Sequence, residues 1–181
     1  MEMDQQMPIK SRIRTIPHHP RPGVMFRDIT TLLKDPEGFS LTVERLASRY
    51  RDVPLDLVAG IEARGFILGA ALAFALGKGF VPIRKRGKLP GRTFSAQYSL
   101  EYGVDSIEIH TDAITAGQRI LLVDDLIATG GTALGAVQLI EQSGGVIHEC
   151  CFIVDLPDLG GAARLRERGL AMHALTSFEG E

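Results

Sequence analysis

Apolar positions along this chain change period several times, and each change marks an element. Ile9, Ile13 and Ile16 recur at helical spacing up to Pro17, which predicts a short amphipathic helix at the start. A proline-rich stretch follows and leads into a short extended piece over 25–29. "KDPEGF" then reads as a helix start. Asp35 can cap, Pro36 takes the first helical position, and Glu37 favours the positive end of the helix dipole. Phe39, Val43, Leu46, Ala47 and Tyr50 carry one apolar face onward.

From 56 the pattern alternates between strand and helix. Strands are predicted over 56–61, 80–85, 107–110, 119–123, 146–156 and 172–175. Helices are predicted over 66–76 and 132–142, with a short exposed one over 160–169. Several strands are apolar at nearly every position, as strands covered on both faces are. The expected fold is therefore α/β, a mainly parallel central sheet flanked by helices, in one domain. The stretch 86–103 shows no clear period and reads as a long irregular loop, a length commonly found in lids.

Composition narrows the function. Of 181 residues, 45% are hydrophobic and 23% charged, and the formal net charge is -2. That balance gives no support for coating nucleic acid or binding a membrane surface. No apolar run approaches the roughly 20 residues of a membrane helix. "MEMDQQMPIK" lacks a signal-peptide core, so a soluble, cytoplasmic protein is expected. The five histidines (His18, His19, His110, His148, His173) show no metal-ligand spacing. Cys150 and Cys151 are adjacent, so on a strand they point to opposite faces and act as small buried hydrophobes.

"ILLVDDLIATGGT", residues 120–132, is the candidate site. A buried strand ends in two acids, and a glycine-containing loop then opens a helix at the ligand-binding edge of a parallel sheet. Gly130 and Gly131 allow a tight turn, and the first amides of the helix form a phosphate cradle to which Thr129 and Thr132 add hydroxyls. No lysine precedes Thr132, so the nucleoside-triphosphate loop pattern is not met, nor is the dinucleotide fingerprint. Asp124 and Asp125 cannot grip phosphate, but they can accept from the hydroxyls of a sugar phosphate. On spacing alone, a plain turn with a capping acid remains the other reading.

"VDDLIATGGT" resembles the phosphoribosyl-diphosphate signature of the type I phosphoribosyltransferases. "PGVMFRDIT", "GIEARGF", "RKRGKLPG" and "YSLEYG" resemble, in the same order, the adenine-using branch of that family, and the likeness spans about 10–178. The resemblance implies transfer of the 5-phosphoribosyl group from 5-phosphoribosyl 1-diphosphate to adenine. It also implies a role for each motif. Asp124 and Asp125 would serve the ribose and its developing cation. Ala128, Thr129, Gly130, Gly131 and Thr132 would hold the 5′-phosphate. Arg64, beside a cis peptide, and Lys85 would hold the diphosphate. Adenine would meet the backbone of Met25 and Arg27, the ring of Phe26 and, on its other face, Ile127. Glu101 would act as the acid at adenine N7, and Tyr102 would belong to a hood formed with the base-binding segment from about 8–30 and 86–103. Mg²⁺ would be held mainly by the substrate, with no direct protein ligand and Asp124 reaching it through water. The family is usually homodimeric. Competing readings are a transferase for another purine or for orotate, a DNA-binding regulator, and a phosphorylated receiver. The segment "GVMFRD" and the hood favour adenine. A regulator would need an added helix-turn-helix and usually a basic face. A receiver would carry its acids on the first strand.

Overall fold

The computed structural model describes residues 8–100 and 103–180. Residues 8–10 are helical, but the expected helix does not run on to Ile16. Arg14–Pro17 is instead strand β1, paired antiparallel with β2 (Met25–Asp28) in a two-stranded sheet of its own. β-Branched Thr15 and Ile16 suit that ladder, and Pro17 sits at its end. Arg14 Nε donates to Asp28 at 3.0 Å and holds that carboxyl down at about 2. Ile9 and Ile13 are nevertheless buried, so the spacing identified the apolar positions and misjudged the conformation joining them.

Two helices follow, α1 (Thr30–Leu33) and α2 (Pro36–Tyr50). Asp35 caps α2 as its sequence predicts, accepting from Glu37 N at 3.2 Å, with Pro36 in the first turn. The main sheet then builds from β3 (Leu57–Ile61), α3 (Arg64–Leu76), β4 (Gly79–Lys85), β5 (Thr93–Leu100), β6 (Gly103–His110), β7 (Arg119–Ile127), α4 (Gly131–Gln142), β8 (Val146–Asp155), α5 (Gly161–Glu167) and β9 (Met172–Ser177). Its order is β5-β6-β4-β3-β7-β8-β9, seven strands. The run from β4 through β9 is parallel, and β5 and β6 form an antiparallel hairpin at one edge.

β5 corrects the expectation of an irregular stretch over 86–103. Phe94, Ala96 and Tyr98 alternate with Ser95 and Gln97, a period of two that places Ala96 and Tyr98 in the core. β7 also runs further than expected. Asp124 and Asp125 lie within the strand, whose pairing with β8 continues to Ile127 and Asp155.

Two apolar clusters cover the two faces of the sheet. One holds Ile127, Ala136, Val137 and Ile140 with Leu165, so α4 and α5 lie on that face. The other holds Leu46, Tyr50, Leu68 and Leu72, which places α2 and α3 opposite. Ile120 to Val123 are fully buried between them, each side chain contributing about 1.5–3 kcal/mol. Cys150 belongs to one cluster and Cys151 to the other, both unpaired by disulfide, as adjacent strand residues should be. Away from the carboxyl ends of the strands, Glu149 accepts from Arg49 Nε and Nη2 at 2.9 and 2.8 Å and pins α2 to β8.

After β3 the chain crosses through α3 to β4 on one side, and β7 lies on the other. The order therefore reverses between β3 and β7, where open α/β sheets leave a crevice. The turn there is tight. A Cβ on Gly60 would lie 2.7 Å from Gly65 O and 2.7 Å from the Phe80 ring. Gly60→Ala should lower unfolding free energy by about 1–3 kcal/mol, the usual cost of overpacking. Denaturant unfolding measures it, and an unchanged midpoint would refute the contact.

Candidate active site

The two chain segments that leave the sheet at the reversal line one cavity of about 460 Å³. From β3 come Glu62, Ala63 and Arg64, with the Glu62–Ala63 peptide cis. From the end of β7, the loop after it and the start of α4 come Asp124 through Ala133. Lys85 at the end of β4 and Tyr98 on β5 complete the lining. Arg64, Lys85, both acids, Ile127 and the whole glycine-threonine loop are thus brought together from distant stretches of sequence.

The acids are handled differently. Asp125 is buried and takes Arg64 Nε in an ion pair. Asp124 accepts from Asp125 N at 2.8 Å, and burial followed by the neighbouring Asp125 charge pushes its carboxyl well above the usual range. Gly65 makes this packing feasible, because a Cβ there would stand 2.9 Å from Asp124 Oδ1 and 3.0 Å from Val123 O. Its smallness serves the acid pair directly.

The loop after the acids is braced from outside. Leu156 N donates to Ile127 O at 3.0 Å, Gly161 N to Ala128 O at 2.9 Å, and Arg164 Nη1 to Thr129 O at 2.8 Å. Three successive carbonyls are engaged, so the loop offers the cavity N–H groups and the hydroxyls of Thr129 and Thr132. Gly130, at φ 83°, makes the turn and caps α4 without a side chain, leaving the first helical amides uncapped. Uncapped amides at the positive end of a helix are an anion seat.

Glu62 orders the other wall. It accepts from Arg84 Nε and Nη2, both at 3.2 Å, and from Lys85 N at 2.9 Å, and the Arg84 guanidinium holds its pKa down. Lys85 Nζ lies 3.6 Å from Asp105, which also accepts from Tyr98 OH at 3.2 Å. The Ser106 amide is the main cause keeping the Asp105 carboxyl low. Glu62, Tyr98, Asp105, Gly161 and Arg164 were not singled out from sequence. Only Tyr98 left a signal there, the two-residue period of β5.

Met25, Phe26 and Arg27 lie on β2 and do not line this cavity. Asp28, next along, is near enough for its charge to act on Arg64, while its carboxylate accepts from Arg14 Nε and Thr30 N. β2 has a strand partner on one edge only. The Phe26 ring meets His19 edge-on, with centroids 5.0 Å apart. Glu101 and Tyr102 lie outside the described residues. Among those described, no three His, Cys, Asp or Glu side chains converge to hold a metal ion, and no helix is long and apolar enough to cross a membrane.

A crevice at a strand-order reversal, a helix start without a side-chain cap and two adjacent acids are a setting suited to a phosphate-bearing sugar. Residues 30–169 match the phosphoribosyl transferase domain family. The adenine phosphoribosyltransferase of Chlorobium luteolum is 62% identical over 177 residues, 97% of this chain and 100% of that one. The structure of the adenine phosphoribosyltransferase of Rhodothermus marinus superposes with a TM-score of 0.90 at 44% identity, covering 97% of this chain and 99% of that one. The Saccharomyces cerevisiae enzyme, solved with adenine and D-2,5-dideoxy-2,5-imino-altritol 1,6-bisphosphate, gives 0.89 at 37% identity, covering 96% and 99%. The chain belongs to the phosphoribosyltransferases and, within them, to the adenine phosphoribosyltransferase family.

The external brace has a direct test. A Cβ on Gly161 would fall 2.3 Å from Ala128 O and 2.7 Å from Gly130 N. Gly161→Ala should distort the loop and weaken binding of a phosphate monoester about ten- to a hundredfold, the worth of one hydrogen bond to a charged group. Calorimetric titration reads this, and an unaltered affinity would mean that the loop does not seat the phosphate.

Proposed function

We propose that this protein transfers the 5-phosphoribosyl group of 5-phosphoribosyl 1-diphosphate to N9 of adenine, releasing diphosphate and AMP in purine salvage. One observation carries the proposal: two carboxylates and an uncapped helix start face the same cavity. A ligand with hydroxyls or a developing cation beside a phosphate answers both. The bond from C1 to the diphosphate oxygen breaks ahead of the N9–C1 bond that replaces it, so positive charge builds on the ribosyl ring in between.

Asp124 and Asp125 stabilise that charge and hold the ribose hydroxyls. Ala128 to Thr132 take the 5′-phosphate. Arg64 forks the departing diphosphate, and Lys85 swings from Asp105 to join it. Adenine rests against Phe26 with Ile127 on its other face, and the backbone of Met25 and Arg27 reads its edge. Glu101 takes the proton that adenine gives up at N7 as N9 attacks, once the hood, with Tyr102, closes, and returns it to N7 in the reverse direction. Mg²⁺ is held mainly by the substrate, as that ion usually binds through one or two carboxylates plus substrate phosphates. Asp124 would hold it through water, and bound there it would offset diphosphate charge.

The reading extends to a cytoplasmic homodimer. Ile67 and Phe74, seven residues apart on α3 and 48% and 89% exposed, offer an apolar contact for a second copy. Phe74→Glu should shift sedimentation from dimer to monomer, and an unshifted dimer would place the interface elsewhere.

The defining assay supplies adenine, hypoxanthine, guanine and orotate in parallel with 5-phosphoribosyl 1-diphosphate and Mg²⁺. AMP should form, with the other bases used far more slowly; equal use of hypoxanthine would overturn the assignment. Asp124→Asn, nearly isosteric, should lower turnover about 10²–10³-fold, the usual size of a lost electrostatic stabiliser. Glu101→Gln should cost about 10²–10⁴-fold. Wild-type turnover with 7-deazaadenine close to that with adenine would remove the N7 role.

A further inference from the structure

We propose that Phe178, with the turn that follows it, is a positioning element for the base-binding strand β2. This rests on the reading that adenine meets β2. That strand belongs to a two-stranded sheet outside the main one, and such a hairpin has little stability of its own. If the backbone of Met25 and Arg27 reads the base, β2 must be held still relative to the sheet ends that hold the ribose.

The segment after β9 does this by closing back across the molecule. Phe178 N donates to Asp155 O at 3.1 Å, which keeps the chain on the end of β8. Two cations meet its ring, with the Arg27 guanidinium carbon 4.4 Å and Lys10 Nζ 4.7 Å from the centroid. Two residues on, Gly180 O accepts from Arg27 Nη2 at 3.3 Å, while Gly180 N donates to Asp158 Oδ2 at 2.8 Å. Arg27 Nη1 meanwhile donates to Thr15 Oγ1 at 2.6 Å on β1.

Arg27 therefore commits its side chain to the hairpin partner and to the closing turn. That leaves its backbone to face the base. Arg27 Nε is buried with no hydrogen-bond partner among the described residues, so the guanidinium is held by ring stacking and its outer nitrogens. Asp155 ends β8 and Asp158 lies within the turn Pro157–Leu159 that follows, while Leu156 N, between them, braces Ile127. The wall behind the base and the strand in front of it are thus joined through one aromatic ring.

The test compares steady-state constants for both substrates. Phe178→Leu keeps an apolar side chain but removes the π face, so KM for adenine should rise about five- to thirtyfold, the combined size of two partly exposed cation–π contacts. KM for 5-phosphoribosyl 1-diphosphate should stay within twofold, and Phe178→Tyr should restore the adenine value. Lys10→Met removes one cation from the surface without touching the core. It keeps the question answerable if the leucine variant folds poorly, and should raise the adenine KM about two- to fivefold. An unchanged adenine KM in both variants, an equal rise for both substrates, or no rescue by tyrosine would each overturn the proposal. Phe26→Ala, run alongside, separates it from its premise. If Phe26→Ala raises the adenine KM and Phe178→Leu does not, the clamp alone fails. If Phe26→Ala also leaves it unchanged, the base does not lie on β2.

Discussion

Between β3 and β7 the chain leaves one sheet in opposite directions, to α3 on one face and α4 on the other. The crevice exists because two adjacent parallel strands end together and their crossovers diverge. Most of the cavity lining hangs from those ends. The divergence also demands close backbone approach, met by Gly60 against Gly65, Gly65 against Asp124 and Gly161 against Ala128. Each of these contacts sits behind the cavity wall, so the glycines shape the site without being part of its chemistry.

Placing two carboxylates beside an anion seat raises an electrostatic problem, since they repel the ligand that the helix start attracts. The structure reduces the repulsion in two ways. Arg64 pairs with Asp125, and burial pushes Asp124 toward its neutral form. The cavity is therefore less anionic than its sequence reads. A ligand that engages Arg64 releases Asp125, and a ligand bringing positive charge favours the ionised form of Asp124.

How much of this could be read from sequence depended on whether the signal was local. The run "VDDLIATGGT" carries the acids, the turn and the helix start within a few residues, and its general disposition was legible. So were the parallel core and the cap of α2, because periodicity and capping are local properties. Residues 14–17 were misjudged because the same isoleucines serve a helical turn and then a strand, and only pairing with β2 decides between them. β5 was missed because glycines and prolines before it hid a short alternation. The braces Gly161 and Arg164, and the anchor Glu62, act across the fold through contacts that leave no spacing to detect.

Cys150 and Cys151 occupy the middle of β8, one facing each cluster, and both are fully buried. Burial pushes each thiol up to about 12. The thiolate is the form that attacks a thiol reagent, so neither sulfur reacts while the sheet is closed. The pair is a native clock for opening of the sheet centre. Its labelling rate under mild conditions reports how often both layers part, without any probe having to be introduced.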